Sequence, residues 1–250
     1  MVAKPCRWME YVEDQQVTNL RNRFDAFIRT VRGFESIDEL LKEIHLDCKK
    51  RADYLLWNRQ IIVEQKVLVD DPADKPQKFV DQLMNKGRIL VYGKVSTERI
   101  FAGMLDGSEQ KKRMFLSITK GLEASFADAD KQTRDTREIF SIPEAVGMVV
   151  ILNVSAPTLH PDLIRYGLSQ VLLKRRHDGS VRYPHNDGVV MISEAHRDVS
   201  SRNGRGAPCF SAPTPHTKSE QLVRAFSDSL VQSWAAFNGV PVVRQDAFRI

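Results

Sequence analysis

No stretch of 18 or more apolar residues occurs in the sequence, so nothing in it reads as a membrane-spanning helix. Cysteine is scarce. The three present, Cys6, Cys48 and Cys209, are widely spaced: they suit a reducing compartment better than a disulfide framework, and the spacing excludes a zinc knuckle. Residues Met1 to Met9 carry Lys4 and Arg7 but no apolar run, which argues against a secretory signal and makes a cytoplasmic location the expectation. A GxSxG elbow, a Walker loop and a dinucleotide fingerprint are all missing, so acyl transfer by that elbow and the common nucleotide folds have no sequence support. His177, His185 and His196 match no zinc-ligand spacing.

What is present is an ordinary globular composition. Hydrophobic residues make up 42% and charged residues 28% of 250, enough for one large domain and too apolar for overall disorder. The net charge of +5 is compatible with a polyanionic partner without proving one.

Along the chain, Trp8 to Val31 reads as a charged helix that breaks at Gly33. Ser36, with Glu39 three residues on, forms a capping-box pattern. The helix that follows places Ile37, Leu40, Leu41, Ile44 and Cys48 on one stripe. Two runs rich in aromatic and β-branched residues come next, 52–57 and 60–69, separated by Asn58-Arg59. Asn tolerates the positive φ of a two-residue turn; Arg suits it less, but a hairpin is the simplest reading.

Residues 70–76 read as a loop, and 77–117 as mixed helix with room for short strands. A long helix is expected from Ile118 to Phe140, its inward stripe formed by Leu122, Phe126, Ala129, Thr133, Thr136 and Phe140. The run GMVVILNV at 147–154 predicts a strand covered on both faces. A helix at 163–175, a strand at 188–193, a Gly/Ser/Pro-rich basic loop at 197–218 and a last helix at 219–237 complete the α/β pattern. The expected organisation is a helical segment 1–35, an α/β core 36–196 with an insertion at about 70–117, and a basic loop with a C-terminal helix at 197–250.

The hairpin carries the chemistry. With Asn58 and Arg59 at the turn, Asp53 pairs with Glu64, and paired Cβ atoms lie about 4.5–5.5 Å apart on one face. Two carboxylates so opposed are destabilising unless one is protonated or a cation lies between them. Lys66 shares the face of Glu64. Two acids and an ammonium on one rigid edge suit magnesium, which takes one or two carboxylates and fills its other positions with water and phosphate oxygens. The plain alternative is a solvated strand bearing a surface ion pair worth about 0–1 kcal/mol. Against it, Ile62 and Leu68 lie on the same face.

Asp53, ten intervening residues and Glu64-Gln65-Lys66 resemble the signature of the PD-(D/E)xK nuclease superfamily. Ala52 stands where the family name has Pro. The resemblance implies a restriction-endonuclease-like core, a mixed β-sheet flanked by helices, with the motif on a hairpin between a helix that often donates a Glu and a later helix bearing Gln or Lys. It makes Asp53 and Glu64 metal ligands, with the Gln65 carbonyl a third and Glu43 the helical acid, ahead of Glu39 and Asp47. Lys66 is the catalytic lysine it implies, and Gln132, rather than Lys131, the helical Gln. The strand that the family pattern expects between the first helix and the Asp-bearing strand is not visible in the sequence.

A magnesium-dependent nuclease, with manganese as a substitute, is therefore expected to hydrolyse phosphodiester bonds with an activated water, in DNA rather than RNA. A homodimer is compatible with that role. Lys174, Arg175, Arg176, Arg202 and Arg205 are the candidate phosphate contacts, although a solvated helix end and loop explain them nearly as well. The alternatives are a catalytically inactive nucleic-acid-binding or assembly module of the same fold, and a structural protein without a nucleic-acid role.

Overall fold

Three consecutive residues with positive φ, Trp57 at 51°, Asn58 at 55° and Arg59 at 65°, turn the chain back on itself where the sequence places the hairpin, with Asn58 and Arg59 at its centre. Both central residues of a type I′ turn need this conformation. Arg59 is held in it by a forked ion pair to Glu35, at 2.6 Å from Nη2 to Oε2, and by packing over the Phe140 ring. Strands β2 (Tyr54–Leu56) and β3 (Ile61–Leu68) flank the turn, and Leu55 stands opposite Ile62 as expected.

The computed structural model describes residues 20–45, 50–197 and 207–243. Helix α1 (20–28) leads to a two-residue strand β1 (Glu35–Ser36), then α2 (Ile37–Glu43), β2 and β3. Three helices follow, α3 (Lys75–Asn85), α4 (Thr97–Ala102) and α5 (Gly107–Ile118). Next come α6 (Lys120–Ile139), β4 (Val146–Asn153), α7 (Pro161–Leu172), β5 (Gly188–Ser193), β6 (Cys209–Pro213) and α8 (Glu220–Phe237).

The six strands form one mixed sheet in the order β1-β2-β3-β4-β5-β6. β3, β4 and β5 run parallel, while β1, β2 and β6 are antiparallel to their neighbours. The protein is thus α/β, an open mixed sheet flanked by helices. Among the described residues no helix is long and apolar enough to cross a membrane.

Alternation along the central strands divides the core. Ile61, Val63, Met148, Val150, Val190 and Ile192 pack against α1 and α8. Val149, Ile151, Val189 and Met191 face the opposite layer, built from α5, α6, α7 and side chains of α3 and α4. The boundaries expected at 35 and 196 do not coincide with these layers, because α1 and α8 together cover one face of the same sheet. The Arg23–Glu194 ion pair ties α1 to the end of β5.

Several elements depart from expectation. Ser36 caps α2 through the Glu39 N–H at 3.4 Å, but the helix stops at Glu43, and His45 turns the chain with φ 53°. Ile44 is therefore exposed rather than on an inward stripe; Cys48 and Asp47 lie outside the described residues. The segment 77–117 holds helices without a strand, and β1, invisible in the sequence, is only two residues long. β6 lies inside the stretch read as a basic loop: it pairs antiparallel with β5 and buries Ala212.

Candidate active site

Glu64 lies in the middle of β3 on the face that α6 covers, and it is only 2% exposed. A buried carboxylate in that position excludes the surface ion pair, because the solvent that makes such a pair weak is absent. Apolar residues of two separate clusters bracket it: Ile62 on one side, with Ile37, Leu41 and Leu55, and Leu68 on the other, against the larger core of α5–α7. The site is a polar break in an otherwise apolar layer.

The expected facing of Asp53 and Glu64 is present. β2 and β3 pair in the register that brings the two together, and the charge of Asp53 acts on the Glu64 carboxyl. Asp53 Oδ2 accepts the Gln65 main-chain N–H at 2.7 Å, so the side chain takes over an edge donor of β3. Lys66 Nζ lies 2.8 Å from Glu64 Oε1 and donates to Gln132 Oε1 at 2.9 Å. Gln132 Nε2 in turn donates to the Arg51 carbonyl at 2.8 Å. The amide of Gln132 therefore links the lysine on β3 to the chain entering β2. Both ends of that amide are used.

Burial pushes the Glu64 carboxyl up to about 8; the neighbouring Asp53 adds to the rise and Lys66 opposes it. Asp53 is raised as well, again by burial first, against the lowering effect of the Gln65 N–H and Lys66. Two acids share one ammonium. Glu64 Oε2 is buried without any hydrogen-bond partner, an arrangement that costs free energy unless a proton or a cation is supplied.

No family model, curated protein or solved structure matches this chain.

Four of the candidate residues, Asp53, Glu64, Lys66 and Gln132, thus converge on one point. Gln65 joins through its main-chain N–H, while by alternation its side chain lies on the opposite face of the sheet from Glu64. Glu43 does not converge: it is exposed at the last residue of α2. The acid of that helix within electrostatic reach of Asp53 is Asp38, which also pairs with Arg51 at 2.6 Å. The reason is the early end of α2, which leaves Glu43 beside a turn instead of inside a longer helix.

The phosphate contacts fare differently. Lys174 pairs with Glu123 at 2.6 Å, and Arg176 donates to the Arg182 carbonyl. Glu123 lies nine residues before Gln132 on α6, about 13 Å along the helix. This basic cluster is therefore displaced from the carboxylates, and Arg175 sits in the same short turn through a bridge to Val181. Arg202 and Arg205 lie outside the described residues.

Three contributors were not foreseen as site residues. Arg51 and Asp38 flank Asp53, and Thr136 Oγ1 accepts the Ala52 N–H at 2.9 Å, fixing the start of the Asp-bearing strand. A signal for Thr136 did exist, since a fully buried threonine on an apolar stripe needs a polar partner. Thr136→Val should leave the Ala52 N–H unsatisfied and lower stability by about 1–3 kcal/mol, readable as a fall in urea midpoint at an unchanged slope. No change in the midpoint would show that this bond does not anchor the hairpin.

Proposed function

We propose that this chain is a metal-dependent nuclease that hydrolyses phosphodiester bonds, in DNA rather than RNA, on a restriction-endonuclease-like core. The observation that carries the reading is the burial of two facing carboxyl groups, Asp53 and Glu64, beside one ammonium, with Glu64 Oε2 left unpartnered. A divalent cation satisfies both at once. The donor set fits magnesium, with manganese as substitute: hard oxygens, two carboxylates, and coordination positions left for water and phosphate. Among the described residues no group of three His, Cys, Asp or Glu side chains is gathered, as a site enclosed by side-chain ligands would need.

Asp53 and Glu64 would hold the ion, with the Gln65 carbonyl as a candidate third donor. When bound, the ion lowers the pKa of a water and offsets charge that builds on the phosphate. Asp53 contributes one oxygen fixed by the Gln65 N–H, which sets the direction of the other. Lys66, held between Glu64 and Gln132, carries positive charge to the place where the attacked phosphate gains negative charge, and can orient the attacking water. Gln132 positions Lys66, and its second bond to the Arg51 carbonyl keeps that position independent of substrate.

The order of elements supports the reading further. α2, the hairpin carrying the two acids, a set of helices of which the last bears Gln132, and a strand parallel to β3 follow in turn, a helix–hairpin–helix–strand order that the family resemblance implies. β1 precedes α2 and pairs with β2, so the strand that the resemblance expects between that helix and the Asp-bearing strand has no counterpart among the described residues. The DNA preference and the case for two copies cutting both strands come from the resemblance. A cytoplasmic setting accords with the scattered cysteines, of which Cys209 is a free thiol.

The test is direct. Purified protein incubated with duplex and single-stranded DNA and RNA should cleave at least one DNA substrate with magnesium or manganese and none in EDTA. Lys66→Ala should cut cleavage by at least about 100-fold while the far-UV spectrum is unchanged. Full activity in Lys66→Ala, or cleavage that persists in EDTA, refutes the assignment; binding without cleavage would return the inactive module.

A further inference from the structure

The helical insertion leaves β3 at Leu68, two residues beyond Lys66, and carries an exposed segment between α3 and α4 with no counterpart elsewhere in the described residues. Residues 89–92 belong to no helix or strand. Ile89 packs against the main core, whereas Leu90 is 94% exposed and Tyr92 96% exposed. The two exposed side chains stand one residue apart, on either side of Val91. Leu105, also fully exposed, precedes Asp106, which pairs with Arg88 at 2.6 Å. Gly87 (φ 65°) and Gly93 (φ 76°) bracket the segment, and each adopts a backbone conformation that other residues rarely take.

Large apolar side chains displayed in this way need an explanation. Charge limits what can cover them. From Gln82 to Thr97 the chain carries Lys86, Arg88 and Lys94 and no acid. A second copy of the same segment would oppose cation to cation, which disfavours self-association through this face. A polyanion with flat apolar groups between its charges matches both features, since lysines can track phosphates while an aromatic ring stacks on a base.

We infer that residues 86–96 form a binding arm for single-stranded nucleic acid, with Tyr92 as the stacking platform, Leu90 as an apolar wedge, and Lys86 and Lys94 on phosphates. The inference deepens the nuclease reading and rests on it for the identity of the polyanion.

Binding is measured in EDTA, where cleavage does not enter, by the anisotropy of a labelled oligothymidylate of about 20 nucleotides, longer than the common site sizes. Tyr92→Ala with Leu90→Ser should weaken binding by about 5- to 150-fold. Lys86→Ala with Lys94→Ala should reduce the slope of log affinity against log salt by roughly 1.4 between about 50 and 200 mM. All four side chains are exposed, so the melting temperature should not move. Because binding is read without cation or cleavage, a loss in the arm variants separates a failed arm from a failed active site.

Arm variants that bind within twofold of wild type overturn the inference, whatever the cleavage assay shows. So does poly-glutamate that competes as well as the oligonucleotide, charge for charge, because an acidic protein would then be the better partner. Sedimentation that shows a dimer lost on Leu90→Ser would assign the face to a second copy instead.

Discussion

Glu64→Gln should make the cation-free protein more stable at pH 8 and abolish cleavage. The carboxyl of Glu64 is buried, faces Asp53, and has one oxygen without a partner. An amide of the same shape removes the excess charge, keeps an acceptor for Lys66, and adds an N–H that Asp53 can accept. A gain of about 1–3 kcal/mol is the scale for relieving a buried unsatisfied group.

The sign with pH is fixed by linkage. The native state holds a proton on Glu64 up to about 8, whereas the unfolded chain releases it near the ordinary value of 4.5. Between those values the folded form binds more protons, so stability is greatest below the lower value and falls as pH rises through the upper one. The advantage of Glu64→Gln should therefore be present at pH 8 and vanish near pH 4.5, checked by urea titrations at both. Cleavage should drop by at least about 100-fold, because the amide is a poor ligand for a hard cation. A variant that is less stable at pH 8, or that still cleaves, would show that Glu64 is a structural acid. Stability gained where function is lost marks a residue kept for its chemistry.

How much of this was legible in the sequence depends on whether local pattern or distant packing sets each feature. The hairpin register follows from a two-residue turn and a period of two, so the facing of Asp53 and Glu64 and the co-facial Lys66 could be read directly. The strand 188–193 and the stripe of α6 were equally local. Gln132 could be placed at the edge of that stripe, but not in its bonds to Lys66 and the Arg51 carbonyl, since its partners lie 66 and 81 residues away.

Elements short of a full period escaped. β1 spans two residues, and the turn at His45 ends α2 before its stripe is complete. A stripe that ran on to Cys48 made Glu43 look like a site acid, whereas the end of α2 leaves it in solvent and puts Asp38 nearer to Asp53. β6 was hidden for another reason. Its Pro208 and Pro213 and its polar neighbours resemble a loop, and only pairing to the edge of β5 makes it a strand. The basic residues were counted correctly but carried no partner information: Lys174 is committed to Glu123, a residue that sequence distance does not suggest.

Divalent cation binding should be steeply dependent on pH, and this tests the site without any nucleic acid. A metal can coordinate Glu64 only after its proton leaves, and burial with Asp53 alongside keeps that proton on until about pH 8. Apparent magnesium or manganese affinity should rise about tenfold per pH unit from pH 6 to pH 8 and level off above. Calorimetry in buffers of different ionisation enthalpy should record the release of about one proton per ion at pH 6.5 and much less at pH 9. The same linkage predicts that a cation at about 100 times its dissociation constant adds about 2.7 kcal/mol to stability at pH 8. That gain should be reduced in Glu64→Gln, whose amide needs no neutralising charge. Affinity that is flat from pH 6 to pH 8 would mean that the ion, if it binds, binds elsewhere. The buried acids would then be a cost with no matching use.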